Sequence, residues 1–174
     1  VTTASSSSEK YNYLNGPQIR AMREAMGLTR LTALHTHDRD IADTVEFIEP
    51  IKKADAIWFT GGRQWRLIDA YAGTQTEIAF NEVLSRGGVI GGSSAGASIQ
   101  GSYLVRGDTN SSSILLGNHQ NGFGFLRNAA IDQHVIPRFR HLDLLTILTD
   151  PDGKMNNSHE RSAFLGIGLD EGTG

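Results

Sequence analysis

The 174-residue sequence contains no cysteine. A disulfide scaffold, a thiolate zinc site and a cysteine nucleophile are therefore excluded. No apolar run approaches the roughly 20 residues that a membrane-spanning helix needs, so a membrane is not an expected partner. Cationic excess is missing too: 16 Lys and Arg stand against 19 Asp and Glu, for a net charge of −3. Such a chain has no global basic footprint, and nucleic acid is not an expected partner. With 39% hydrophobic and 20% charged residues, the balance is that of a globular protein, which rules out collagen-like and wholly disordered readings.

Glycine is abundant, at 20 residues against a usual share of about 7%. Gly61-Gly62, Gly87-Gly88, Gly91-Gly92 and Gly96 sit at the ends of apolar runs. That placement marks sharp strand-to-loop turns. The opening residues Val1 to Ser8 are mostly Ser and Thr and read as a mobile surface segment. Residues 1–10 are thus expected to be flexible, and 11–174 to form a single catalytic α/β domain.

Pro17 suits the first position of a helix and Gly27 its stop, with Ile19, Met22 and Met26 on one face. Leu31 to His35 reads as a strand. A helix capped near Asp38 or Asp40 is expected through Phe47, interrupted at Pro50. Ala56 to Phe59 is a short apolar run of the kind buried on both faces of a sheet. Helical pattern covers Gln64–Ala72 and Thr76–Ser85, and Val89-Ile90 is the next strand. A helix follows Ala95. Arg106 to Asn121 is a polar loop, Ala129 to Gln133 strand-like, and Leu142 to Leu148 helical. Asp150 to Ser162 is polar, and Phe164 to Leu169 is a last strand. Strands alternating with helices favour a mainly parallel sheet covered on both faces. Because the sequence opens on a helix and closes just after a strand, further sheet is expected before residue 1 and after residue 174.

Gly92-Ser93-Ser94-Ala95-Gly96 matches G-x-S-x-G between an apolar strand and a helix, the context a nucleophile elbow requires. Ser94 would project from the strand's carboxyl end at a helix N-terminus, where N–H groups favour an anion. The Ala95 amide is one candidate oxyanion donor. No G-K-[ST] follows, so this is not a P-loop. Six histidines are candidate bases. His134, in Asp132-Gln133-His134, directly follows a strand and falls on the same sheet rim as Ser94. His119, His141 and His159 lie in polar or helical contexts and read as surface or satisfied residues. His35 and His37 could face the same way, but a metal there would need more ligands, and no metal or cofactor is expected. The acid that orients the imidazole falls to Glu171, at another strand's carboxyl end, with Asp170 and Asp132 as competitors. Arg138 and Arg140 follow His134 and suit carboxylate recognition. Gly61-Gly62-Arg63-Gln64 ends a strand, so its backbone could supply the second oxyanion N–H and Gln64 could hold substrate.

These blocks resemble the S51 serine peptidases, the family of cyanophycinases and aspartyl dipeptidases (peptidase E). The resemblance rests on Phe59-Thr60-Gly61-Gly62-Arg63-Gln64-Trp65-Arg66-Leu67, Gly91 to Ala97, Ile131-Asp132-Gln133-His134 with Arg138 and Arg140, and Gly166 to Glu171. They run in family order, and the D-Q-H block with its arginines is more similar to the cyanophycinases. The resemblance implies a flavodoxin-like three-layer α/β sandwich with a mainly parallel sheet, related to class I glutamine amidotransferases. It implies Ser94 as nucleophile, His134 as base and Glu171 as acid, with Gly62 and Ala95 as oxyanion donors. Gln64, Asp132, Gln133, Arg138 and Arg140 would line the substrate site. The implied substrate is a peptide linked through aspartate, β-Asp-Arg in cyanophycin-like material. A homodimer is one assembly open to such a chain. Two positions depart from the cyanophycinase pattern: Val135 replaces a Phe, and Asp143 stands near the place of a third Arg.

Overall fold

The computed structural model describes residues 1–6, 16–155 and 163–174. Helix α1 spans Pro17–Ala25, opens with its proline in the first turn and ends before Gly27, whose φ of +62° suits glycine. The expected helix over 38–47 is instead two. Asp38 caps α2 (Arg39–Ala42) by accepting from the Asp40 N–H at 2.9 Å, and Thr44 caps α3 (Val45–Lys52) by accepting from Phe47 N–H at 3.3 Å. A side chain that satisfies a free N–H starts a new helix there. Pro50 does not interrupt the helix but lies inside α3. It forfeits one intrahelical bond close to the helix end, while Phe47, Ile48 and Ile51 are buried.

The remaining elements alternate. They are β1 (Ala56–Phe59), α4 (Trp65–Tyr71), α5 (Gln75–Ser85), β2 (Val89–Gly92), α6 (Ala95–Ser98), β3 (Gly101–Tyr103), β4 (Leu126–Gln133), α7 (Asp143–Thr149) and β5 (Leu165–Leu169). Every named strand pairing is parallel: β1 with β2, and β3, β4 and β5 in that order. Helix α6 packs against β1, β2 and β4, and so joins the two ladders. Strand β3 was not legible, because it is three residues long and lies beside a polar stretch. Residues 156–162 of the expected polar loop lie outside the described residues.

The opening residues depart from the mobile-segment reading as far as they are described. Val1 to Ala4 run beside β1: the Val1 amino group donates to Trp58 O at 2.7 Å, and Thr60 N–H to Val1 O at 3.0 Å. On the other side Thr2 N–H donates to Leu34 O at 2.9 Å. Thr2, Thr3 and Ala4 are buried. Their hydroxyls do not keep them at the surface, since each finds a partner: Thr2 with His35, Thr3 with the Tyr71 hydroxyl. Residues 7–10 of that segment are outside the described residues. Leu31–His35, read as a strand, has no ladder of its own but is held against residues 2 and 3 through Leu34 and Thr36.

Ile57 and Phe59 of β1 point into a core with Phe80, Val83, Leu67 and Tyr71. Phe59 and Phe80 meet edge to face at 5.1 Å, and Tyr71 meets Phe80 at 5.5 Å. Burying each such ring stabilises by about 1.5–3 kcal/mol. The opposite face of β1 and β2 is not buried as expected: Trp58 is 38% and Val89 65% exposed. A second core joins Tyr103, Val105, Ala130, Ile147 and Phe164 under α7.

One consequence for stability follows from His35. Burial, then the neighbouring His37, hold its pKa below 6.5, and a hydrogen bond with the Thr2 backbone opposes them. A histidine with a depressed folded pKa stabilises the fold while neutral and loses that contribution as pH falls below its unfolded value. The thermal midpoint is therefore expected to fall as pH drops from about 7 through 6. In His35→Gln that slope should flatten, and melts across this range check it. An unchanged slope would assign the acid sensitivity to other groups.

Candidate active site

Three carboxyl strand ends meet on one rim. Ser94 follows β2, His134 follows β4 and Glu171 lies just beyond β5. Ser94 Oγ is 3.0 Å from His134 Nε2. His134 Nδ1 hydrogen-bonds Glu171 Oε1. An ionised carboxylate only accepts, so Nδ1 carries the proton and Nε2 accepts from the Ser94 hydroxyl. The hydrogen bond from His134 is the main cause that holds the Glu171 pKa below the usual carboxylate range. Glu171 occupies this place and its competitors do not. Asp170 N–H turns to Thr173, and Asp132 faces two arginines.

Ser94 has φ 53° and ψ −118°, and His134 has φ 59°. Both are backbone conformations that cost a non-glycine residue on the order of 1–3 kcal/mol. Neighbouring glycines make the turn possible. A Cβ on Gly96 would stand 2.0 Å from Phe59 O, and one on Gly92 would stand 2.3 Å from Gly96 O. The outer glycines of the five-residue pattern thus let α6 start directly against β1. A Cβ on Gly61 would touch the Ser94 side chain at 3.1 Å, which puts the Gly61-Gly62 turn beside the hydroxyl. Gly62 has φ +146°, and a Cβ there would stand 2.2 Å from Ala4 O. Among the described residues neither Gly62 N–H nor Ala95 N–H donates to a protein acceptor.

Of the other site candidates, Gln64, Asp132, Gln133 and Arg140 are buried and Arg138 is exposed. Gln64 is 2% exposed, and its Nε2 donates to Val105 O at 2.7 Å. Asp132 is wholly buried, and Gln133 is 7% exposed. Arg106 Nε and Nη2 reach the two Asp132 oxygens at 3.1 and 3.4 Å, while Arg140 Nη1 lies 3.3 Å from Oδ1. Arg140 Nη1 also donates to Gln133 O at 2.6 Å. One buried carboxylate thus holds two guanidiniums and ties them to the residue before His134. Arg138 is exposed and makes no ion pair among the described residues. Its backbone N–H closes the turn onto His134 O at 3.2 Å.

Arg106 was not foreseen. It lies in a polar stretch 26 residues from Asp132, and no local pattern signals such a pairing. Its φ of +58° is a feature of the fold alone. His119 and His37 are engaged away from Ser94. His119 pairs with Asp69 at 2.7 Å, and His37 Nε2 donates to Thr3 O and Ser5 O, both 2.9 Å away. His159 lies outside the described residues.

Comparison with known proteins gives a consistent picture. The model of peptidase family S51 matches residues 1–173. A cyanophycinase of Geminocystis herdmanii is 33% identical over 151 residues, covering 85% of this chain and 52% of that protein. One of Trichormus variabilis is 28% identical, covering 99% of this chain and 55% of that protein. The chain therefore spans about half the length of the curated relatives it matches. Among solved structures, a peptidase from an acI-B1 Actinobacterium superposes with a TM-score of 0.59 at 24% identity, covering 88% of this chain and 57% of the other. A putative peptidase E of Listeria monocytogenes gives 0.56 at 18% identity, covering 84% and 71%. At those identities the superpositions speak for the fold, which is α/β with parallel sheets and flavodoxin-like. On the match along nearly its whole length, the chain belongs to peptidase family S51.

Proposed function

We propose that the chain is a serine peptidase of the cyanophycinase type, cleaving peptides linked through aspartate. The observation that carries this reading is the hydrogen-bonded series Ser94, His134, Glu171, assembled from three strand ends. Ser94 Oγ attacks the scissile carbonyl carbon as His134 Nε2 takes its proton. Glu171 holds the imidazole in the Nδ1–H tautomer and stabilises the imidazolium. The oxyanion is received by the N–H groups of Gly62 and Ala95, a contribution worth about 10²–10³ in rate per donor. His134 then returns the proton to the leaving amine, and an acyl-enzyme remains on Ser94. Water, deprotonated by His134, attacks the ester and releases the acid product, which restores Ser94.

The substrate assignment is supported by likeness to proteins named cyanophycinase and by the cationic rim. In this reading Arg138 meets the substrate's carboxylate. Gln64, Gln133 and Arg140 shape the floor, and Asp132 keeps the arginines in place. A second reading, an aspartyl peptidase for other peptides, is favoured by Asp143, an acid at the same cavity as Arg138 and Arg140.

Incubation with cyanophycin is the direct test. Release of β-Asp-Arg dipeptide, followed by chromatography and mass, is the expected outcome. If cyanophycin stays intact while other aspartyl peptides are cut, the second reading replaces the first.

A further inference from the structure

A cavity of about 560 Å³ opens along the turn that follows His134. Arg106, Arg138, Arg140 and Asp143 line it, with Ser112 and Phe139 among the others. Its volume is that of a small-ligand site. Its charges are arranged unequally. Arg106 is 6% exposed and fully engaged: Asp132 takes its Nε and Nη2, Asp143 Oδ2 also takes Nη2, and Ser112 O and Ser113 O take Nη1 at 3.3 Å each. Arg140 is bound to the buried Asp132. The Asp143 side chain is 29% exposed, so its carboxylate neutralises Arg106 at the cavity wall. Three guanidiniums and two carboxylates leave one net positive charge, and among the described residues Arg138 is the cavity arginine without an ion pair.

We propose that Asp143 is a specificity residue: by neutralising Arg106 at the cavity wall, it limits the cavity to a substrate portion carrying a single carboxylate, seated on Arg138. A portion with two carboxylates would set its second charge against Asp143 with no free guanidinium to receive it. The proposal rests on the peptidase reading above and adds the charge of the substrate portion held beside the catalytic turn.

Binding tests it without turnover. In the Ser94→Ala protein, calorimetry compares succinate, with two carboxylates, and succinamate, which has the same shape and one. The parent site is expected to favour succinamate. Asp143→Asn, added to Ser94→Ala, should tighten succinate by about tenfold, a modest charge effect at a half-wet site. Succinamate should move by less than about twofold, since its amide carries no charge to repel. Asp143→Glu should restore the parental preference. Arg138→Gln alters an exposed side chain and tests the seat even if Asp143→Asn does not fold; it should weaken both probes. Equal movement of the two probes on Asp143→Asn, undiminished binding in Arg138→Gln, or no binding of either probe to the parent would each overturn the proposal. Because no readout requires peptide cleavage, a failure of the peptidase reading and a failure of this one are told apart.

Discussion

Ser94→Ala is expected to lower peptide turnover by on the order of 10⁶, the scale on which removal of a serine nucleophile acts when base and acid work with it as a unit. The fold should persist. The change deletes one hydroxyl, whose hydrogen-bond partner is His134 Nε2, on a ring that is 24% exposed and can take water instead. The thermal midpoint should therefore stay close to that of the parent. A serine-reactive phosphonate should add its mass to the parent and leave Ser94→Ala unmodified. Glu171→Gln bears on the same reading, because an amide can no longer stabilise the imidazolium. A Ser94→Ala protein that keeps most of its turnover, or that is labelled as fast as the parent, would remove Ser94 from the mechanism.

The second large effect concerns stability. Asp132→Ala leaves Arg106 and Arg140 facing each other without the wholly buried carboxylate between them. Removing one partner from a buried ion cluster costs about 3–5 kcal/mol, because the remaining charge is stranded away from water. Crowding already tells on Arg140, whose pKa is lowered first by burial and next by Arg106. In urea unfolding, a loss of that size at a slope of about 2 kcal/mol/M moves the midpoint down by about 2 M. A shift below about 0.5 M would mean that Asp132 is not the counter-charge of the cluster. The loss of activity should exceed what unfolding explains. Asp132 and Arg140 anchor Gln133, and His134 is the next residue, placed with φ 59°.

Much of the site is local in origin and could be read directly. Gly92 to Gly96 carries its own geometry: a short apolar strand, a turn that needs small residues and a helix start. The positive φ of Gly27 and the proline at the start of α1 are likewise consequences of single residues. His134 and Glu171 could be placed because each ends an apolar run, and parallel strands bring their carboxyl ends to one rim.

What escaped reading depends on partners far along the chain. Val1 to Ala4 has the composition of a mobile segment, yet its hydroxyls and backbone are satisfied by Leu34, His35, Trp58 and Tyr71. Hydrophobicity patterns cannot see a hydrogen-bond partner 30 to 70 residues away. The helix over 38–47 split because the Thr44 hydroxyl found a free N–H, a competition that spacing alone leaves undecided. Arg106 joined Asp132 and Asp143 for the same reason: charges pair where the fold buries them, and burial is a tertiary property. The sequence by itself thus determined the parallel α/β class, the strained serine turn and the rim on which Ser94, His134 and Glu171 stand. Only the tertiary structure decided which acid reached the histidine, which arginines were locked to Asp132 and which one faced the cavity free. Hydrogen bonds and ion pairs form between groups that packing brings within about 3 Å, and no one-dimensional pattern encodes that distance.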